Sequence, residues 1–398
     1  RNETISLKKL RKGDGSWSTQ KEILGWILDT VRQTMELPAH RKLTLANIFS
    51  ELATTNRVSN KHWQRYLGQL RFVSTAIPGS RGLFSALQLA LTRAGTNRIR
   101  INSHLCSHID AFASLAASLC QRPTHLAEIV PQKPSFLGTT DAAKPGMGGV
   151  FYDHNGHPYA WRQPFPADIQ ANLVSFDNPQ GTITNSDLEQ AGQLAQVSLI
   201  AEQADVSYCT IGTGSDNTPA VSRMNKGALT SDGVPAQLCS YGCLHQRQHR
   251  YCHFSFFLPG DCNGMADDAS RLQHLTDEQF LLHLEQAYPQ PYPWQLLHLS
   301  TKLSSELINT ALEIAGSAIT AKTRKAKNKL FGVWTDFCQE FGIPPSLYTI
   351  TNPDDKLSYL LVFAMRYRQK GQRNHPVRAD TVKTALTAVG TGIADLGV

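Results

Sequence analysis

The stretch PSFLGTTDAAKPGMGGVFYD, residues 134–153, constrains the fold more than any other part of the chain. Residues 136–140 are a short run of β-preferring side chains bounded by prolines, which predicts a strand ending at Asp141. Residues 142–149 hold Lys144, Pro145, Gly146, Gly148 and Gly149, which supply the backbone angles of a reversal, before Val150, Phe151 and Tyr152 resume strand character. The expected element is a β-hairpin with a carboxylate at its rim. An Asp buried there must be paired, protonated or bound to a cation. In the plainer reading, Asp141 caps the turn.

Upstream, residues 21–30 and 34–37 read as two short strands, followed by helices over 42–53, 60–74, 82–93 and 103–120 from apolar residues at three- and four-residue spacing. The second helix carries Lys61, Arg65 and Arg71 with Trp63 and Tyr66 interleaved, a pattern that suits phosphate contact or, for the two aromatics, the core. Downstream of the hairpin, residues 157–165, 206–211 and 254–258 read as strands, and 185–204 as an amphipathic helix with Leu188, Leu194, Val197 and Ile200 inward. Glu189 falls in the first turns of that helix, Asp216 follows the strand at 206–211, and Asp267 opens a helix near its own position.

Charge is partitioned along the chain. Residues 1–130 carry 18 Lys and Arg against 8 Asp and Glu, residues 131–316 carry 9 against 18, and residues 317–398 carry 12 against 6. Basic flanks suit a polyanionic partner, and an acidic centre suits divalent cations held beside it. The plainer reading is ordinary variation between solvated surfaces. Residues 101–121 are weakly charged but hold Asp110, two His and many Ser, which is wrong for a membrane span. Eight scattered cysteines suit reduced thiols in a cytoplasmic or nuclear setting, and a chain opening on Arg1 is expected to be a fragment.

Asp141, Glu189, Asp216 and Asp267 follow one another at separations of 48, 27 and 51 residues, presented by three strand ends and one helix. Four carboxylates in one pocket repel unless cations sit between them. A pair of Mg²⁺ ions about 3.5–4 Å apart can activate water and stabilise the leaving oxygen of a phosphodiester. A competing cluster, Cys239, Cys243, His245, His249, Cys252 and His253, has spacings that could ligate Zn²⁺, although its pairs fall on different faces of one expected helix.

Three resemblances follow from these pieces. ILGWILDT, TMELP and YLGQLRFVSTAIPGSRGLFSALQ are similar to the end of a retroelement reverse transcriptase, the primer-grip hairpin and thumb, without the polymerase palm. TTDAAKPGMGGVFY, ITNSDLEQAGQLA, GSDNTPAVSRMNKG and PGDCNGMADDASR resemble ribonuclease H in order and element type. That resemblance implies a Mg²⁺ site, with Mn²⁺ as a substitute, on Asp141, Glu189, Asp216 and Asp267, and hydrolysis of RNA in RNA–DNA hybrids. The loop before Asp267 lacks the His that many members of that family carry. WTDFCQEFGI, LVFAMRYRQKG and VRADTVKTALTAVG resemble the SAM-like core-binding domain of tyrosine recombinases in DIRS-like retrotransposons, which implies double-stranded DNA as partner. Its basic positions are Lys322, Arg324, Lys325, Arg373 and Lys383.

The expected fold is α/β and multidomain. A reverse-transcriptase end over 1–130, with thumb-like helices, leads to a ribonuclease H-like mixed sheet with flanking helices over 131–280. A Pro- and aromatic-rich linker over 281–316, including a helix at 304–315, leads to an all-α SAM-like unit over 317–398. No polymerase or recombinase catalysis is expected. The alternative is a catalytically inactive nucleic-acid-binding protein.

Overall fold

The computed structural model describes residues 16–174, 178, 181–226, 234–300, 321–347, 350, 352–370, 375–379, 381–383, 385–386 and 389. It is a mixed α/β structure. The expected single strand over 21–30 is a hairpin, β1 (Gln20–Ile23) and β2 (Trp26–Asp29), because Leu24 and Gly25 both adopt positive φ, 54° and 82°, the two-residue turn that suits strand twist. β3 (Thr34–Glu36) pairs antiparallel with β2. Helices α1 (Ala39–Thr54) and α2 (Asn60–Val73) follow, with the short β4 (Arg57–Val58) between them. Ser59 caps α2 by accepting from the His62 N–H at 3.3 Å. After α3 (Phe84–Ala94), β5 (Ile99–Arg100) returns to pair with β4, and α4 (Ser103–Gln121) leads into β6 (Thr124–His125), which joins the edge of β3.

Trp63 and Tyr66 belong to the core of this helical unit rather than to its surface. The Trp63 indole N–H donates to the Leu87 carbonyl at 3.0 Å, which satisfies a polar group that burial would otherwise leave unpaired.

The central sheet is built on β7 (Phe136–Ala143), β8 (Gly146–Tyr152) and β9 (Pro158–Pro164), an antiparallel meander. The short α5 (Ala167–Ala171) and the long α6 (Asn185–Gln203) precede β10 (Thr210–Ser215), α7 (Thr218–Lys226), α8 (Val234–His249) and β11 (Cys252–Phe257). α9 (Gly264–Arg271), α10 (Asp277–Ala287) and β12 (Gln295–Leu297) complete the unit. The strand order is β11-β10-β7-β8-β9-β12, with β10 parallel to both β7 and β11, and β12 parallel to β9. Part of the stretch expected as a linker from 281 therefore supplies a helix and an edge strand. The helix expected at 304–315 lies outside the described residues.

The hairpin differs from its expected form. β7 continues through Asp141 to Ala143 and only Lys144 and Pro145 turn, so Asp141 sits inside the ladder opposite Gly148. The glycines expected in the turn are strand residues, and close approach explains them: a Cβ on Gly148 would lie 2.6 Å from the Ala269 backbone on α9. The strand expected at 206–211 begins only at Thr210, because Cys209 N–H closes a turn on the Val206 carbonyl at 3.0 Å and Tyr208 takes φ 64°. α6 is not amphipathic. Its residues from Asp187 to Ile200 are all buried, since the sheet covers one side and α7 and α8 others, so a helical stripe gives way to an all-round core helix.

A buried ion cluster joins the helical unit to α8. Arg247 makes a 3.5 Å ion pair with Glu128 and donates to Thr124 Oγ1 at 2.8 Å and the Arg122 carbonyl at 2.6 Å, while Arg122 Nη2 donates to Glu128 Oε2 at 2.9 Å. Both Arg247 and Glu128 are buried, as charges taken from water must be only when paired.

The C-terminal unit has α11 (Ala321–Glu340) and α12 (Pro353–Lys370), and the described residues from 379 onward are helical. Its core packs Trp334, Phe337, Phe363 and Tyr367, with the Trp334 N–H on the Pro345 carbonyl at 2.9 Å. Phe341, just past the end of α11, is exposed. No helix among the described residues is long and apolar enough to cross a membrane.

Candidate metal centre

Three of the four acids meet. One carboxylate oxygen each from Asp141, Glu189 and Asp216 lies within 4.8 Å of the other two, the only such group of three or more His, Cys, Asp or Glu among the described residues. Each arrives from a different element. β7 supplies Asp141 from within its ladder, α6 supplies Glu189 from its second turn, and Asp216 follows directly on β10, the parallel neighbour of β7. α6 starts where it does because the Asp187 carboxylate accepts from the Thr184 N–H at 2.9 Å and hydroxyl at 2.8 Å, a reciprocal cap reinforced by Arg223 at 2.7 Å.

Asp141 and Glu189 are buried and Asp216 is exposed, so the cluster opens to solvent on one side only. Glu189 Oε1 accepts from the Ala142 N–H and Oε2 from the Ser215 hydroxyl, each at 3.3 Å. Burial, and after it the neighbouring Asp141 charge, pushes the Glu189 carboxyl up to about 8. Asp141 is also raised, first by burial and then by the charges of Asp267 and Asp216, while the Ser270 hydroxyl donating to its Oδ2 opposes the rise. The cluster is thus an electrostatically frustrated set of hard oxygen donors that a cation would relieve.

Asp267 lies on the first turn of α9 and is not one of the three converging acids. Its Oδ1 accepts from Arg271 Nε at 2.6 Å, and its side chain keeps 41% of its exposure. Asp268 faces the other way, accepting at Oδ2 from the Tyr288 hydroxyl at 2.9 Å and lying 2.7 Å from His283 Nε2. α9 is pinned to β7 by Asn263, whose Nδ2 donates to the Thr140 carbonyl at 3.1 Å, and by Ser270. Asn263 opens the N-x-x-A-D run ending at Asp267, but neither it nor Ser270 was expected to hold the site together. Ser270 carried a signal all the same, because a residue three after Asp267 shares its helix face.

The Cys and His cluster does not converge. Cys239, Cys243, His245 and His249 lie on α8, but Cys252 and His253 belong to β11. Cys239 Sγ accepts from Gln190 Nε2 at 3.2 Å, Cys243 Sγ faces the Pro78 carbonyl at 3.0 Å, and His253 Nε2 meets Thr213 Oγ1 at 2.7 Å. Burial raises both thiols and lowers His245 to about 3 and His253 to about 4, which fits neutral packed side chains.

Of the basic residues, Lys61, Arg65 and Arg71 are exposed on α2, with Arg71 on Gln88 Oε1 at 2.5 Å. Lys322, Arg324 and Lys325 lie in the first turns of α11, and Lys383 is exposed in a helical stretch. Arg373 lies outside the described residues.

No family model and no curated protein matches the chain. Among solved structures it is similar to the foamy viral protease-reverse transcriptase in complex with RNA/DNA hybrid, at 12% identity and a TM-score of 0.26, over 61% of this chain and 30% of that one. It is also similar to that protein in complex with dsDNA, at 11% identity and a TM-score of 0.27, over 71% and 45%. The chain spans less than half the length of these proteins. At such scores the likeness fixes neither the arrangement of the sheet nor an activity.

Proposed function

We propose that the chain is a retroelement-derived protein whose central sheet carries a ribonuclease H-type site, hydrolysing RNA in RNA–DNA hybrids with Mg²⁺ bound by its acids. The observation that carries this reading is the convergence of Asp141, Glu189 and Asp216 within 4.8 Å from three separate elements, two of them buried. The donor set fits the ion. All three ligands are carboxylates, the hard oxygen donors that magnesium and manganese prefer, and the carboxyls of Asp141 and Glu189, raised first by burial and then by their neighbours' charges, are ones that a bound cation would bring back down.

Bound there, magnesium supplies Lewis acidity and lowers the pKa of coordinated water. Everything else falls to the protein. Asp141 and Glu189 would hold the ion at the buried end, and Asp216 would complete the set on the open side, the side from which substrate would enter. Asp267 is the fourth carboxylate of the proposal. Arg271, 2.6 Å from its Oδ1, positions that carboxylate, which would join the other three in holding the ion. Ser270 and Ser215 orient Asp141 and Glu189 by donating to one oxygen of each, which leaves the second oxygen for the ion or a backbone amide. The exposed cations of α2 hold the phosphate backbone, and Lys322, Arg324, Lys325, Arg373 and Lys383 of the C-terminal unit bind double-stranded DNA.

The test is incubation of the purified chain with a hybrid labelled on its RNA strand, with and without Mg²⁺, beside Asp141→Asn. The expected result is metal-dependent loss of the RNA strand, reduced by at least about 100-fold in the variant, since the lost carboxylate is one of the ligands that would hold the ion. Equal activity in the variant removes the proposal and leaves a nucleic-acid-binding role.

A further inference from the structure

β4 and β5 form a two-stranded antiparallel ribbon in which Arg57 stands opposite Arg100 and Val58 opposite Ile99. The Ile101 N–H donates to the Asn56 carbonyl at 3.0 Å and extends the pairing by one step. Side chains alternate across a strand, and here the alternation is complete: Val58 and Ile99 are buried in the helical core, while Arg57, Arg98 and Arg100 are exposed. Asn60 at the start of α2 donates to the Gly95 carbonyl in the loop before β5, so Lys61 begins its helix beside the ribbon.

Like charges directly opposite one another destabilise a strand pair. Among the described residues, Arg57, Arg98 and Arg100 make no ion pair and no side-chain hydrogen bond. A ribbon of two residues per strand that keeps three guanidinium groups outward and uncompensated is built for an external anion. Guanidinium forks match phosphate oxygens in bidentate fashion. A lipid headgroup is the poorer match, because interfacial binding needs aliphatic side chains beside the cations and the two in this ribbon point inward. A nucleic-acid duplex is also a far denser array of anions, about one charge per 1.7 Å of axis, than an acidic peptide with at most one per roughly 3.3 Å.

We propose that the β4–β5 ribbon is a docking site for the phosphate backbone of a nucleic-acid duplex, reached through Arg57, Arg98 and Arg100. The site is separate from the carboxylate cluster and does not depend on its chemistry.

The test is titration of a fluorescent duplex with the full chain in EDTA, over a range of salt, so that an inert carboxylate site leaves the outcome untouched. The variants are a ribbon triple, Arg57→Gln, Arg98→Gln and Arg100→Gln, and a charge-matched triple at other exposed positions, Arg32→Gln, Lys133→Gln and Arg250→Gln. Each lost phosphate contact lowers the slope of log K against log salt by about 0.9, so the ribbon triple flattens it by roughly 2 to 3 and weakens binding about tenfold or more near 0.15 M salt. The matched triple changes the slope by less than about 1 on the same basis. Equal loss in the two triples, or an unchanged slope in the ribbon triple, overturns the inference. Loss of binding only to anionic vesicles or polyglutamate, with duplex binding kept, also overturns it. Unchanged unfolding midpoints for both triples show that the fold survives.

Discussion

Glu189→Gln separates the charge of the cluster from its shape. The buried Glu189 carboxyl moves from its ordinary 4.5 up to about 8, so between those values the metal-free native state holds one proton more than the unfolded chain. Stability then falls as pH rises, at about 1.4 kcal/mol per pH unit. The contribution is fully present below the unfolded value of 4.5 and lost as pH passes the folded value of about 8. A rise of that size corresponds to about 5 kcal/mol in all, to order of magnitude, since each unit is ~1.4 kcal/mol. Because the neighbouring Asp141 is raised too, the two groups titrate as a pair and the slope belongs to both. Glutamine keeps the volume. Its carbonyl can accept from Ala142 and its amide can face the Ser215 hydroxyl, so the packing survives while the titration disappears. Urea denaturation from pH 5 to 8 in EDTA should therefore show wild type losing stability relative to the variant, by several kcal/mol across the range. Saturating Mg²⁺ should cancel the decline in wild type and leave the variant almost unmoved. Parallel curves in EDTA refute the reasoning, because they mean that no strained carboxylate is present to be relieved.

Two further outcomes follow. Gly148→Ala should destabilise by about 1–3 kcal/mol in urea denaturation, because the new methyl meets the Ala269 backbone at 2.6 Å and α9 must lift from the sheet. At the acid end His245 and His253, held near 3 and 4, must stay neutral in the fold, so their contribution is present above about 6.5 and lost as pH falls toward those values, by about 1.4 kcal/mol per unit for each. A pH series of unfolding midpoints below 6.5 in the Glu189→Gln background, which removes the opposing Glu189 titration, reads this, and a flat series contradicts burial of the neutral rings.

The acids were legible as an ordered series because each sits at a strand end or helix start whose local pattern is visible, and local pattern is what a sequence displays. Their convergence was not visible, since it depends on β10 pairing parallel to β7, with Gly214 opposite Thr139 and its carbonyl accepting from the Thr140 hydroxyl 74 residues away in sequence. The glycines of residues 146–149 misled for an instructive reason. Glycine marks either a turn or a place where another backbone comes close, and only the packed α9 distinguishes the two. α6 misled through its apolar spacing, which describes one face, whereas Gln190, Gln193 and Gln196 are buried as fully as the leucines beside them. The outward arginines of β4 and β5 escaped notice because strands of two residues leave almost no periodic trace.

The cluster of Arg122, Glu128 and Arg247 bears on how this chain can be divided. Proline residues at 131 and 134 invite a cut, yet Glu128 lies before them and the arginine it neutralises lies on α8, more than a hundred residues later. A piece beginning at residue 131 would keep Arg247 and lose Glu128 together with the Thr124, Ser118 and Arg122 acceptors, leaving a guanidinium that was shaped for an interior facing water or an empty groove. The carboxylate-bearing sheet is thus tied to the helices ahead of it, and the seam that looks cleanest in the sequence runs through the middle of an ionic joint.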